Sequence, residues 1–213
     1  MNKRQAPSPR AMNLARQLVA TLPTGMPGLF NPWSDVCPGD QPWNDPGAKL
    51  NRLAAHLDCE PLLILCGEAP GYKGCRHSGV AFTSERQILQ GSIPRLAPEH
   101  RRLTTRRSPY SEGSATVVWR TLGLLGLAER AILWNAIQMH PHRPGEGDSN
   151  RAPSPAELAL GEPALQLLLR AFPGARVVAV GRNAQRLLGI MGVPDFTSIR
   201  HPANGGTAMF ETA

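Results

Sequence analysis

The sequence predicts an α/β protein, a three-layer α/β/α sandwich around a central, mainly parallel four-stranded sheet. Three observations carry this reading. Four short apolar runs, Leu62–Leu65, Ala131–Ile137, Ala175–Val180 and Phe196–Ile199, read as buried strands. Capped or amphipathic helical stretches alternate with them, and that alternation places helices on both faces of a parallel sheet. No internal repeat or second core-forming region interrupts the order, so residues 1–213 are expected to form one domain.

The elements follow in order. Residues 1–9 are expected to be a loose tail, and 10–58 a helical and loop cap. Leu14, Leu18 and Leu22 recur at four-residue spacing, which predicts a helix over 10–22 ended by Pro23. A Pro/Gly/Trp-rich loop follows, with Phe30, Trp33 and Trp43 as packing anchors. Asp45 caps the next helix with Pro46 at its first position, and Leu50, Leu53 and Leu57 form its inner face. The first strand breaks at Gly67-Glu68-Ala69-Pro70-Gly71 into a long glycine-punctuated loop running to Ser84. Loops that long are uncommon unless they bind something. Ser84 and Gln87 form a capping box for a further helix. The segment 95–108 holds five arginines, among them Arg101, Arg102, Arg106 and Arg107, and reads as a phosphate-contacting stretch. A helix through Leu125 leads to the second strand, which carries Asn135 near its end. Ser154 and Glu157 form a second capping box, and Pro163 kinks or splits the helix that follows. The third strand, a helix over 183–191 and the fourth strand lead to His201-Pro202-Ala203-Asn204, with a short last helix opened by Gly205-Gly206.

A net charge of +7 and a pI near 9.9 favour a polyanionic partner. No 18-residue apolar run marks a membrane span, and MNKRQAPSPR lacks the apolar core of a secretory signal, so a cytoplasmic monomer is expected. Cys37, Cys59, Cys66 and Cys75 form no Cys-x-x-Cys pair and read as reduced thiols. His140-Pro141-His142 lacks carboxylate or cysteine partners at ligand spacing, so neither metal nor cofactor is expected.

GEAPG at Gly67–Gly71, with Phe82 about ten residues on, resembles the first motif of the uracil-DNA glycosylase superfamily in its GEAPG-type branch. Trp134-Asn135-Ala136 and His201-Pro202-Ala203-Asn204 resemble two further motifs in the right order, and together the three span roughly two thirds of the chain. Some GEAPG-type members carry an iron–sulfur cluster, but the paired cysteine spacing is absent here.

Independently of the family, Glu68, Asn135 and His201 each stand at the end of an apolar strand, and a parallel sheet brings such ends to one edge. A pocket with an amide, an imidazole, a carboxylate, an aromatic ring and backbone donors suits removal of a flipped base. The resemblance implies excision of uracil from DNA. It makes Asn135 the base-reading amide, Phe82 the stacking ring, and His201 the imidazole beside the leaving group, with backbone groups of Gly67, Glu68, Ala69, Pro70 and Gly71 around the base. Glu68 is a second candidate catalytic group, and Asn204 joins the arginines as a DNA contact. Two departures stand out. The best-known members carry aspartate and tyrosine where this chain has Ala69 and Gly71. The HPANGG segment lacks a longer apolar wedge, which leaves single-stranded DNA as a preferred substrate. The alternatives are a DNA-binding module with little turnover, and a glycosylase for another base such as hypoxanthine or mismatched thymine.

Overall fold

A computed structural model describes residues 6–97 and 101–213 of the chain. Helix α1 (Pro9–Ala20), the two-residue strand β1 (Leu29–Phe30) and α2 (Pro46–Leu57) form the N-terminal cap. Then come β2 (Leu63–Gly67), α3 (Cys75–Ser78), α4 (Glu85–Leu89), α5 (Gly113–Leu124), β3 (Ala131–Asn135) and β4 (His140–Pro141). The chain closes with α6 (Pro155–Ala159), α7 (Glu162–Ala171), β5 (Arg176–Val180), α8 (Arg182–Ile190), β6 (Thr197–Ile199) and α9 (Thr207–Glu211).

The main sheet has the order β3-β2-β5-β6, and every neighbouring pair is parallel. Alternation along β2 sends Ile64 and Cys66 to one face and Leu65 to the other. The first face packs on Leu18, Leu53, Leu165, Leu168 and Leu187, which come from α1, α2, α7 and α8. The second packs on Ile88, Val118, Leu122 and Phe210 of α4, α5 and α9. Each fully buried Leu or Ile of these layers contributes about 1.5–3 kcal/mol. The result is the three-layer α/β/α sandwich.

Local sequence explains most boundaries. Ser8, Asp45 and Ser154 cap α1, α2 and α6, each with proline in the first turn. Pro163 splits rather than kinks its helix, falling in the first turn of α7 after the break at Leu160–Gly161. The expected tail reaches less far than residue 9, since Ser8 bonds Asp58 and caps α1, while residues 1–5 lie outside the described part. The second strand ends at Asn135, two residues early, because Ala136 and Ile137 turn to donate to the carbonyls of Gly67 and Glu68. The loop after β2 contains α3, and the small sheet pairs β1 with β4 across the molecule. Phe30 and Trp33 are buried anchors, whereas Trp43 is 40 % exposed.

Candidate active site

The chain leaves β2 for β3 on one side and leaves β5 for β6 on the other, so the switch point lies between β2 and β5. Crevices at such points, beyond the carboxyl ends of the strands, are where open α/β folds bind ligands. A cleft of about 1230 Å³ opens here, lined by Glu68 to Lys73, by Gly181 to Asn183, and by His201 to Asn204.

Beneath the cleft lie two of the expected base-contacting side chains. Gly67 and Asn135 are register partners in adjacent strands. A Cβ on Gly67 would sit 2.5 Å from two atoms of the Phe82 ring and 2.8 Å from Asn135 Oδ1. Only glycine therefore lets ring and carboxamide meet over the strand end. Phe82 holds this position with φ of 49°, in the left-handed region that side chains avoid, so the surrounding fold imposes it. Asn135 is 5 % exposed, and its carboxamide makes no hydrogen bond to any described residue. Both polar atoms of the carboxamide are therefore available to a bound molecule.

His201 stands next to this pair, its ring centroid 5.7 Å from that of Phe82. The backbone N–H of Ala203 donates to His201 Nδ1 at 3.1 Å. The neutral ring then carries its proton on Nε2, which has no partner among the described residues. Burial lowers the imidazole's pKa, Glu68 opposes that, and Arg200 adds to it, so the ring is a neutral donor at neutral pH. Glu68 is otherwise engaged: its Oε1 accepts from the N–H of Asn183 in the first turn of α8. Its carboxylate packs against Gly181, where a Cβ would fall 2.7 Å away.

A candidate residue that sequence patterns do not reveal is Glu112. Its carboxyl fills the notch left by the glycines of the first turn, with Oε2 so close to Gly74 that no Cβ fits there, and Oε1 3.6 Å from a Cβ at Gly71. Ser114 donates to Oε1 at 2.9 Å, while Oε2 is buried with no partner. Burial raises its pKa, and the Ser114 bond offsets this only in part. An acid with a raised pKa that lines the cleft is a candidate for proton transfer. Spacing gives no sign of it, because Glu112 reaches the turn only through the docking of α5.

The family model for the uracil DNA glycosylase superfamily matches residues 55–209. The chain belongs to the uracil-DNA glycosylase superfamily. It shares its fold with SMUG2 of Pedobacter heparinus, a crystal structure covering 93 % of this chain and 94 % of that one at a TM-score of 0.61 and 13 % identity. No curated protein sequence matches it. As a member of this superfamily it is a DNA glycosylase with DNA as its substrate.

On this glycosylase the basic segment divides by residue. Arg101, Arg106 and Arg107 are exposed, the first over the Trp43 ring at 4.7 Å and the second over Tyr110 at 4.3 Å. Arg102 is held by buried Glu85, with 2.7 Å from Nε to Oε1. His100, in the same stretch, lies outside the described residues. Asn204 lines the cleft with φ of 53°. His140 is a structural contact, bonded through Nδ1 to Arg76 and through Nε2 to Ser149 and Asn150. No helix of the described residues is long and apolar enough to cross a membrane.

Proposed function

We propose that this glycosylase removes uracil from DNA by hydrolysing the N-glycosidic bond. The unpartnered Asn135 carboxamide, set against the Phe82 ring over Gly67 with His201 beside it, is the observation that carries this reading. A flipped base entering below the cleft stacks on Phe82. Asn135 donates to O4 and accepts from N3–H, a polarity that suits uracil and opposes cytosine. His201 donates from Nε2 to O2, where negative charge builds as the base leaves with the bonding pair. The sugar becomes oxocarbenium-like. Glu112, in its ionised form, takes the proton of the attacking water, the task that Ala69 leaves open.

Gly71 adds a second substrate to consider. It presents no side chain where the better-known members place a tyrosine against thymine's methyl group, so mismatched thymine is the nearest competitor. Lack of an apolar wedge near Asn204 favours single-stranded over duplex substrate.

The test is a polarity swap at Asn135. Two mismatched polar contacts at roughly 1–3 kcal/mol each reject cytosine by orders of magnitude in the native protein. Asn135→Asp replaces the donor to O4 with an acceptor for N4–H. It should lose most uracil excision and gain detectable release of unpaired cytosine, and Asn135→Ala should lose both. Melting temperatures establish that the variants fold. Full uracil activity in a folded Asn135→Ala protein overturns the base-reading role.

A further inference from the structure

A second cavity of about 620 Å³ lies apart from the cleft and is lined by Cys37, Arg76, His77, Arg106, Tyr110 and Asp148, among others. At its base three groups meet. Asp40 Oδ1 lies 2.6 Å from His77 Nδ1, and Asp40 Oδ2 lies 2.6 Å from Lys49 Nζ. The donor atoms of Cys37, Asp40 and His77 all fall within 4.8 Å of one another. His77 is 2 % exposed and stacks on Tyr110 at 4.8 Å, yet its Nε2 has no hydrogen-bond partner.

The local charge says what occupies this corner. Arg76 is 6 % exposed and lies 4.0 Å above the Phe30 ring. Its polar contacts among the described residues are His140 Nδ1 at 2.9 Å and Cys37 Sγ at 3.7 Å, with no carboxylate in reach. Buried cations are paired. Lys49 has Asp40, whereas among the described residues the one atom near Arg76 able to carry negative charge is the Cys37 sulfur. A divalent metal would add positive charge beside two buried cations, and both Asp40 oxygens are already bonded. An anion on sulfur satisfies Arg76 and faces the free nitrogen of His77.

We propose that Cys37 is a reactive thiolate, held between Arg76 and His77 at the floor of this cavity, which hydroperoxides oxidise to a sulfenic acid. Burial pushes the Cys37 thiol up, but the adjoining His77 ring and the charge of Arg76 prevail over burial and Asp40, so its pKa lies below the ordinary value. Burial pushes His77 down, but Asp40 and Cys37 together more than offset this and raise it, which favours a proton on the ring. The thiolate attacks the outer oxygen of the hydroperoxide. The S–O bond forms as the O–O bond breaks, sulfur loses two electrons, and the departing alkoxide or hydroxide takes a proton from the His77 imidazolium. The products are Cys37 sulfenic acid and an alcohol or water.

The other cysteines are built-in controls. Burial raises Cys66 to about 12 and raises Cys75 as well, and Cys59 is also raised although it is more exposed than Cys37. The full-length protein is treated with hydrogen peroxide and dimedone at pH 7, then digested and mapped by mass spectrometry. Cys37 should be tagged at least about ten-fold faster than Cys59, because thiolate character outweighs exposure. His77→Gln should remove about ten-fold of that rate. Tagging of Cys59 as fast as Cys37, or of neither, overturns the proposal. If His77→Gln fails to fold, the comparison within the native protein decides alone.

Discussion

Burial acts in opposite directions on two titratable groups of the cleft, raising Glu112 and lowering His201. In the proposed mechanism this division supplies a general base and a neutral donor at the same pH. Glu112→Gln should slow single-turnover excision by about 10²-fold or more, the usual contribution of a general base. In the native protein the rate should rise with pH through the raised pKa of Glu112, above the carboxylate range near 4.5, and that limb should vanish in the variant. The stability effect has a defined sign. A carboxyl whose folded pKa is raised contributes stability that is fully present below about 4.5 and is lost as pH rises through the folded value. Glu112→Gln should therefore gain melting temperature relative to the native protein at pH 8 but not at pH 4. An unchanged rate and an unchanged pH profile would leave Glu112 a packing residue. Asn135 and His201 could be located in the sequence because each interrupts or ends an apolar strand. Glu112 could not, because its placement depends on a notch made by glycines about 40 residues earlier.

Among elements, the strands and capped helices were legible because each is specified locally. Apolar runs gave β2, β3, β5 and β6, with Pro61 and Gly67 bounding the first and Gly181 ending the third, and Ser or Asp followed by Pro gave the starts of α2 and α6. The two-residue strands β1 and β4 were not legible, since their pairing is made by tertiary contact and not by a local pattern. The arginine segment shows the same limit, because spacing cannot separate a free cation from one bound 17 residues away. Arg102 is such a case. Burial would raise Glu85, but Arg102, Thr104 and backbone donors more than offset it and hold the carboxylate ionised. Arg102→Ala should therefore cost stability, on the order of 2 kcal/mol, allowing for the partial exposure of Arg102. The triple change of Arg101, Arg106 and Arg107 to Ala should instead leave melting temperature unchanged. It should flatten the salt dependence of DNA binding by about 0.7–0.9 in log–log slope for every phosphate that an arginine no longer neutralises. An unaltered slope would turn this loop away from DNA.

Across the whole molecule, buried histidines set the response to acid. Burial and Arg95 hold His56 well below 6.5, burial and Arg76 bring His140 to about 3, and burial lowers His201 too. Each binds its proton more readily when unfolded, so the stability it contributes is lost as pH falls through 6.5 toward the folded value. His77 alone of the shifted histidines runs the other way. Melting temperature should drop between pH 7.5 and pH 5, and a flat or rising profile would contradict the buried-neutral assignment. The same fold brings Gly67, Phe82, Asn135, His201 and Glu112 from distant parts of the chain to one sheet edge, and base excision is the chemistry proposed for that edge. The most direct test uses labelled oligonucleotides, single-stranded and duplex, carrying uracil, hypoxanthine or mismatched thymine. Each is incubated with the native protein and then cleaved at abasic sites with alkali. The account predicts strand cleavage at uracil, fastest in single strands, with thymine a slow second. Binding to these DNAs with cleavage at none of them, or cleavage at hypoxanthine with uracil untouched, would contradict it.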